Sequence, residues 1–174
     1  MNVPRRYWDS STFLAWLLPE PEREDECYSV LKAAEHGDLQ IVTLALTLTE
    51  VIKLKGAPEL RREHESKVAK FFQNEYIVLR NVDRFVALAA RRLVWEQGLM
   101  PRDSIHVATA LHWKITVFDT YDDGLLKLNG KLAMSEGNPN SPKLEITTPH
   151  QPMQLPLIAE EDERPKKEEE SGEE

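Results

Sequence analysis

Acidic residues recur beside the ends of the predicted strands and at the start of one predicted helix. In chain order they are Asp9, Glu50, Asp103, Asp119, Asp122 and Asp123. Carboxylates that share one pocket repel each other and raise one another's pKa, so such a cluster is unfavourable unless a cation neutralises it. Oxygen ligands of this kind suit hard divalent ions such as Mg²⁺ and Mn²⁺. The acids therefore predict a metal site, provided that the fold brings them to one place.

Asp103 stands where an acid is unexpected. Pro101 suits the first turn of a helix, and Asp103 precedes Val107 by four residues and Leu111 by eight. This spacing places the carboxylate on the apolar stripe of the helix. An acid in the first turn favours the positive end of the helix dipole, but the dipole does not explain a position on the stripe. We therefore expect Asp103 to face the interior.

Asp9 and Glu50 each have a simpler explanation as well. Asp9 is followed by Ser10 and two further hydroxyl residues, and a side chain of any of these types can cap a helix. Glu50 lies in a predicted helix three residues before Lys53, so an ordinary ion pair on the helix surface would account for it. Each acid is thus both a candidate ligand and a candidate structural residue.

The acids after the fourth predicted strand partly match a calcium-binding loop. Asp119, Asp123 and Gly124 occupy three of the expected places. Tyr121 replaces an oxygen ligand, however, and Gly130 stands in place of the closing Glu. The calcium interpretation therefore fails.

Hydrophobic periodicity predicts strands that alternate with helices. The short runs RRYW, LQIVTL, YIVLR, ITVF and KLEIT are typical of strands. The segments between them have helical periodicity, at about residues 10–18, 23–36, 45–55, 59–73, 83–97, 101–113 and 122–132. This alternation predicts an α/β fold with a mostly parallel central sheet and helices on both faces. In such folds ligands bind at the carboxyl ends of the strands, which is where these acids lie.

The composition is that of one globular domain with a charged end. The chain has 174 residues, of which 41% are hydrophobic, enough for one substantial core. The net charge is −8, but residues 160–174 hold nine acids and three bases, so this tail carries −6 and the rest of the chain −2. The tail has no apolar residue to bury and is predicted to be a disordered solvating segment, with a regulatory or RNA-mimicking role as the alternative.

Two features predict a cytoplasmic protein. Cys27 is the single cysteine, which permits no internal disulfide and suits a reducing compartment. The apolar run at residues 13–18 is too short for an export signal or a membrane span. No membrane partner is therefore expected.

Four motifs together resemble those of PIN-domain nucleases. They are the Asp-Ser-Ser that starts at Asp9, the Thr-Glu pair that ends at Glu50, DSIHVATA from Asp103, and the Thr-Tyr-Asp that ends at Asp122, with Leu125 and Leu128 after it. The resemblance covers about residues 4–149, and within the family the chain is most similar to the VapC-like ribonuclease toxins of prokaryotic toxin–antitoxin pairs. It implies a PIN-like three-layer sandwich at residues 1–149, followed by an extended segment and the acidic tail at 150–174. A long linker near 133–142 and the tail depart from the family pattern.

The resemblance implies metal-dependent cleavage of RNA phosphodiester bonds. One or two Mg²⁺ or Mn²⁺ ions would activate water and stabilise charge on the phosphate oxygens. Asp122 is preferred to Asp119 because it completes the Thr-x-Asp turn, and Asp119 remains an alternative ligand or a partner of one. His106 is expected to be a structural histidine, with proton donation as the alternative role. The implied catalytic and metal-binding residues are Asp9, Glu50, Asp103 and Asp122.

An RNA nuclease must also hold its substrate. Six bases are candidates for phosphate contacts: Arg61, Arg62, Lys67, Lys70, Arg91 and Arg92. A solvated helix face is the alternative explanation of these residues. The resemblance further implies a cognate antitoxin as partner, and homodimers are common in the family.

Three other functions stay open on the sequence. One is a PIN nuclease that matures RNA or cleaves DNA ends. Another is a receiver-like phosphoacceptor domain, which would need a pair of acids after the first strand and a phosphoacceptor after the third, whereas this chain has only Asp9 and the distant Asp83. The last is a non-catalytic interaction module of the same fold, which the intact acids disfavour.

Overall fold

The computed structural model describes residues 3–18, 21–52 and 65–150, and all five predicted strands lie within them. The strands alternate with one or two helices, as the hydrophobic periodicity predicts. In chain order the elements are β1 (Arg5–Trp8), α1 (Ser10–Leu17), α2 (Pro21–Glu35), β2 (Gln40–Leu44), α3 (Thr47–Glu50), α4 (Glu65–Phe71), β3 (Ile77–Arg80), α5 (Arg84–Gln97), α6 (Pro101–His112), β4 (Val117–Asp119), α7 (Asp123–Leu126) and β5 (Glu145–Thr147).

The five strands form one parallel sheet in the order β3-β2-β1-β4-β5. β1 is central, and its Tyr7 is in register with Val42 of β2 and with Phe118 of β4. Parallel strands are joined by crossover helices that cover both faces of the sheet, which is why Tyr7 and Trp8 are buried although they point to opposite faces. Because every strand runs in the same direction, all the carboxyl ends lie at one edge of the sheet. The predicted α/β class is confirmed.

Adjacent residues of β1 point to opposite faces of the sheet and enter two separate hydrophobic cores. Tyr7 belongs to the core that α5, α6 and α7 cover, whereas Trp8 belongs to the core that α1, α2 and α4 cover. Both side chains are fully buried. The helices contribute Val86, Val107 and Leu125 to the first core, and Phe13, Val30 and Val68 to the second. Helices on both faces of a central sheet make the predicted three-layer sandwich.

α5 and α6 are consecutive helices whose connection places Asp103. α5 begins after Asp83, whose carboxylate accepts a hydrogen bond from the Val86 amide at 2.8 Å. It ends at Gly98, where φ is +66°, a left-handed conformation that glycine adopts without a side-chain clash. Pro101 then opens α6, at a position where a backbone N–H would have no helical partner. Asp103 is therefore held in the first turn of α6.

The predicted helix at 122–132 is wrong beyond its first turn. Only α7 is helical, and after it local turn bonds such as Leu128 N–H to Leu125 O give way to backbone pairing with the segment that leads into β5. The Gly130 amide donates to the Leu144 carbonyl at 3.1 Å, and the Leu144 amide donates to the Leu132 carbonyl at 2.8 Å. Long-range backbone pairing thus satisfies the groups that a longer helix would have satisfied.

Other predictions fall partly outside the described residues. The predicted helix at 45–55 is present only as the short α3, and the predicted helix at 59–73 is present as α4, because residues 53–64 are outside the described ranges. The acidic tail at 160–174 is outside them as well. Within the described residues, no helix combines the length and the apolar character needed to cross a membrane.

Candidate active site

The fold places four of the predicted acids around the carboxyl edge of the sheet. Asp9 directly follows β1, Glu50 ends α3 after β2, Asp103 lies in the first turn of α6, and Asp122 precedes α7 after β4. Thr120 links two of them, because its hydroxyl donates to Asp9 Oδ2 at 2.6 Å and accepts from the Asp122 amide at 3.0 Å. Thr120 thus joins the side chain of Asp9 to the backbone of Asp122, and the assignment of the four acids to one metal site stays a prediction.

Asp9 is buried and held entirely by neutral donors. Its Oδ1 accepts from the Ser11 hydroxyl at 2.7 Å, the Thr12 amide at 3.1 Å and the Thr12 hydroxyl at 3.2 Å. The other oxygen, Oδ2, accepts a hydrogen bond from the Thr120 hydroxyl. Asp9 is thus the N-cap of α1, as its simpler explanation required, and it also lies in the acidic site. The two roles use the same carboxylate.

Glu50 is only 7% exposed and has two unlike carboxylate oxygens. Its Oε2 bonds to His106 Nε2 at 2.8 Å. Its Oε1 is buried without a hydrogen-bond partner in the described part of the chain. Burial acts to raise the pKa of Glu50, but the hydrogen bond and charge of His106, with the charge of Arg102, outweigh it and lower that pKa. The pairing with Lys53 that would explain Glu50 on a helix surface involves a residue outside the described ranges.

Arg102 lies between Glu50 and Asp103. Its Nε is 3.5 Å from Glu50 Oε1 and 3.6 Å from Asp103 Oδ1, and its side chain is 48% exposed. Burial raises the pKa of Asp103 although Arg102 opposes the rise, and the nearby charge of Asp122 raises it further. Asp103 is half-buried, in keeping with its place on the apolar stripe. Arg102 was not among the residues predicted from the sequence, although a base in the first turn of a helix opposes the helix dipole and was a usable signal.

Asp122 and Asp119 have different surroundings. Asp122 is exposed and caps α7, with its Oδ1 accepting from the Leu125 amide at 2.9 Å. Asp119 is fully buried and accepts from Arg6 Nε at 2.8 Å and from Trp8 Nε1 at 2.9 Å. Its side chain thus bonds on the Trp8 side of the sheet, away from the core that contains Tyr7. Burial raises the pKa of Asp119, and Arg6 opposes that rise.

Comparison with known proteins identifies the fold family. A sequence profile described as the PIN domain matches residues 6–131, more than half of the chain, and this stretch includes all four acids. The chain belongs to the PIN-domain family. Among solved structures, the PIN domain is similar to the toxin VapC20 of Mycobacterium tuberculosis, described as cleaving the sarcin–ricin loop, with a TM-score of 0.53 and 13% identity over 68% of this chain and 90% of that one. No curated protein sequence matches it.

Among the described residues, the bases predicted to contact RNA are not gathered into one patch of the PIN domain. α4 packs on the Trp8 side of the sheet and α5 on the Tyr7 side, so their bases belong to opposite layers. Arg61 and Arg62 are outside the described residues. The described bases, all exposed, are Lys67 and Lys70 on α4 and Arg91 and Arg92 on α5.

The acidic edge of the PIN domain is suited to a hard cation. Within the described ranges, no three His, Cys, Asp or Glu side chains are already grouped so as to hold a metal ion. A buried acceptor without a partner is nevertheless rare, and among the described residues Glu50 Oε1 is one. Carboxylate oxygens are the ligands that Mg²⁺ and Mn²⁺ prefer. The donor set and the unpartnered oxygen therefore fit a divalent cation.

Proposed function

We propose that this PIN domain is a metal-dependent endoribonuclease that cleaves RNA phosphodiester bonds, and that it is the toxin of a cytoplasmic toxin–antitoxin pair. The observation that carries the proposal is Glu50 Oε1, which is buried and has no hydrogen-bond partner among the described residues. It lies at the sheet edge where Asp9, Asp103 and Asp122 also lie. Arg102 Nε is 3.5 Å from this oxygen and forms an ion pair with it but no hydrogen bond, and a buried acceptor in this state is suited to a cation ligand.

Asp9, Glu50, Asp103 and Asp122 are the residues that would hold the cation. When bound, Mg²⁺ or Mn²⁺ supplies an activated water and stabilises charge that develops on the phosphate oxygens. The charge of Arg102 adds to His106 in lowering the pKa of Glu50 and opposes the burial that raises the pKa of Asp103, so at both residues it favours the ionised form that binds cations. Because its guanidinium group is half exposed, Arg102 also offers N–H donors to a phosphate at the same edge.

RNA is held by bases on both sides of the acidic edge. We assign phosphate contacts to the exposed bases of α4 and α5, which would contact the strand from opposite layers of the sandwich. Arg61 and Arg62 precede α4 in the chain and belong to the same group. The full set is Arg61, Arg62, Lys67, Lys70 and Arg91, and Arg92 is left out because it is already paired with Glu136 and lies among the exposed apolar residues of α5.

The partners that we propose are an antitoxin and a second copy of the chain. Phe85, Leu88 and Trp95 form an apolar stripe on α5, with exposed fractions of 71%, 52% and 79%. We call these three residues the α5 face. Exposed apolar surface of this kind is typical of protein interfaces. Two antiparallel copies of α5 would set Phe85 of one copy opposite Trp95 of the other, and Arg92 between them is already paired with Glu136.

RNA cleavage by the purified chain tests the proposal. The substrates are a sarcin–ricin stem-loop, because the structural neighbour is described as cleaving that loop, and total cellular RNA. We expect cleavage with Mg²⁺ or Mn²⁺, loss of cleavage on chelation, and loss in Asp9→Asn and Asp103→Asn, which remove ligand charge without changing shape. Asp38→Asn, at an exposed turn position, is the matched control. Full activity in either site variant would overturn the nuclease assignment.

Growth assays test the toxin role separately. We expect expression of the wild type to arrest growth, Asp103→Asn to be harmless, and co-expression of the neighbouring gene's product to restore growth. Cleavage without growth arrest would favour RNA maturation by a PIN nuclease. A non-catalytic PIN module is the second candidate, because Glu50 is already paired with His106 and Arg102. A folded protein that binds RNA without cutting it would favour that candidate.

A further inference from the structure

A buried chain of hydrogen bonds connects β1 to Glu50 through α6. The Tyr7 hydroxyl is 2.8 Å from His106 Nδ1, and His106 Nε2 is 2.8 Å from Glu50 Oε2. His106 is 2% exposed and Tyr7 is fully buried, so water does not compete for these contacts. The Tyr7 and His106 rings also pack edge to face, with centroids 5.8 Å apart. Three elements therefore define the position of one side chain.

The donors in this chain of hydrogen bonds have one consistent direction. A tyrosine hydroxyl keeps its hydrogen at neutral pH, and that of Tyr7 is buried 2.8 Å from His106 Nδ1. A carboxylate only accepts hydrogen bonds, and therefore His106 Nε2 must carry the hydrogen that Glu50 receives. In the neutral imidazole only one ring nitrogen carries a hydrogen, so with Nε2 as the donor Nδ1 accepts from the Tyr7 hydroxyl. Tyr7 thus sets both the orientation and the tautomer of the imidazole.

The consequence for Glu50 is that its two oxygens have different roles. Oε2 is occupied by His106, whereas Oε1 has no hydrogen-bond partner within the described ranges and has an ion-pair contact with the half-exposed Arg102 at 3.5 Å. Glu50 is the last residue of the four-residue α3, so the helix itself gives its long side chain little support. Without His106 the Glu50 carboxylate would be free to rotate and to form other hydrogen bonds. Oε1 would then no longer be held in its present position.

We propose that His106, oriented by Tyr7, is a positioning residue that binds Glu50 Oε2 and thereby presents Oε1 to the divalent cation. The proposal rests on the proposed function, because it assigns His106 to the same metal site. Hydrogen bonds to ligating carboxylates orient them, and loss of such a bond lowers metal affinity by about 10- to 100-fold. An imidazole that merely fills the core would affect folding without a specific effect on metal affinity.

Mn²⁺ affinity of the full chain, measured from the electron paramagnetic resonance of free Mn²⁺, tests this proposal without using activity. We expect His106→Leu to weaken Mn²⁺ binding by about 10- to 100-fold. His106→Gln keeps an N–H donor near the position of Nε2 and should bind Mn²⁺ nearly as the wild type does. Tyr7→Phe, which removes only the hydroxyl, should weaken binding less than His106→Leu. His112→Gln, at an exposed histidine of the same helix, is the control and should leave affinity unchanged.

Circular dichroism and thermal unfolding establish which variants are folded. If His106→Leu does not fold, the Tyr7→Phe variant tests the proposal, because it keeps the imidazole of His106. Weaker Mn²⁺ binding by Tyr7→Phe supports the proposal, and unchanged Mn²⁺ binding overturns it. Wild-type affinity in His106→Leu, or equal losses in the Leu and Gln variants, also overturns it, as does a wild type that binds no Mn²⁺.

RNA cleavage by the wild type separates this proposal from the proposed function. A protein whose Mn²⁺ affinity depends on His106 but that cuts no RNA would overturn the nuclease assignment and support the positioning role. A protein that cuts RNA and whose Mn²⁺ affinity is indifferent to His106 would overturn the positioning role alone.

Discussion

Arg6 and Asp119 form a buried ion pair that joins β1 to β4. Arg6 Nε donates to Asp119 Oδ2 at 2.8 Å, and a second guanidinium nitrogen bonds to Oδ1. Trp8 Nε1 donates to the same Oδ2 at 2.9 Å. Both oxygens of this fully buried carboxylate therefore have donors from within the protein. This arrangement supports a structural role for Asp119 and a ligand role for Asp122, a choice that remains a prediction.

Exchange of each acid for its amide should separate these roles. Asp119→Asn leaves Arg6 buried without a counter-charge, so we expect a loss of about 3–5 kcal/mol in the free energy of unfolding, with little change in the Mn²⁺ affinity of the folded protein. Asp122→Asn should weaken Mn²⁺ binding and change the free energy of unfolding little, because Asp122 is exposed. Urea unfolding and Mn²⁺ titration measure the two effects.

The double variant Arg6→Met with Asp119→Leu is the control for the ion pair. It removes both charges and should recover much of the lost stability, because no buried charge remains unpaired. A larger loss of metal affinity in Asp119→Asn than in Asp122→Asn would show that the ligand assignment is reversed.

Asp103→Asn should stabilise the metal-free protein while abolishing cleavage. Burial raises the pKa of Asp103, and the charge of Asp122 adds to the rise, so the ionised carboxylate is unfavourable in the folded state without a cation. A neutral amide removes that unfavourable charge. Thermal unfolding in the presence of a chelator should show a higher midpoint than the wild type, and a lower midpoint would contradict the prediction.

The stability difference between the wild type and Glu50→Gln should depend on pH. The folded-state pKa of Glu50 is lowered, so its ionised form stabilises the fold above the unfolded-state pKa of about 4.3, and this contribution is lost as the pH falls through the folded value. We therefore expect a clear advantage of the wild type at about pH 7 that shrinks below about pH 4. Urea unfolding of the two proteins at each pH, with a chelator present, measures this difference. An advantage that grows on acidification would have the wrong sign.

Charge introduced on the α5 face should disrupt self-association. Leu88 is half exposed between Phe85 and Trp95, so Leu88→Glu would place an unpaired carboxylate inside a dimer interface. We expect a dimer for the wild type and a monomer with an unchanged far-ultraviolet spectrum for the variant, measured by light scattering after gel filtration. Lys131→Glu, an exposed charge change outside α5, should remain dimeric. A monomeric wild type would refute the dimer.

Deletion of residues 160–174 should leave folding and intrinsic cleavage nearly unchanged. These residues contain no apolar side chain and therefore contribute nothing to a hydrophobic core. Thermal unfolding and the cleavage rate of the truncated chain are the measurements. A large drop in the unfolding midpoint would show that the tail docks on the domain.

Most of the fold could be predicted from local sequence. Alternating strand-like and helical periodicities predicted five strands and a parallel α/β sandwich, because periodicity records which face of each element is buried. The same local signals located Asp103, since Pro101 and the apolar stripe define the start and the inner face of α6. The acids were found as candidates for a similar reason, since Asp9 and Asp122 follow strand ends, Asp103 lies at a helix start and Glu50 lies in the helix after the second strand.

The tertiary structure alone decided what each acid contacts. Asp119 is the last residue of β4, and Asp122 follows the same strand. Only the pairing of β4 with β1 brings Arg6 to Asp119, where the two residues form a buried ion pair. His106 looked like a structural histidine, and only the packing of α6 against β1 and α3 puts it between Tyr7 and Glu50. Periodicity records burial within one element, whereas a hydrogen-bond partner is set by contacts between residues far apart in the chain, and those exist only once the sheet has assembled.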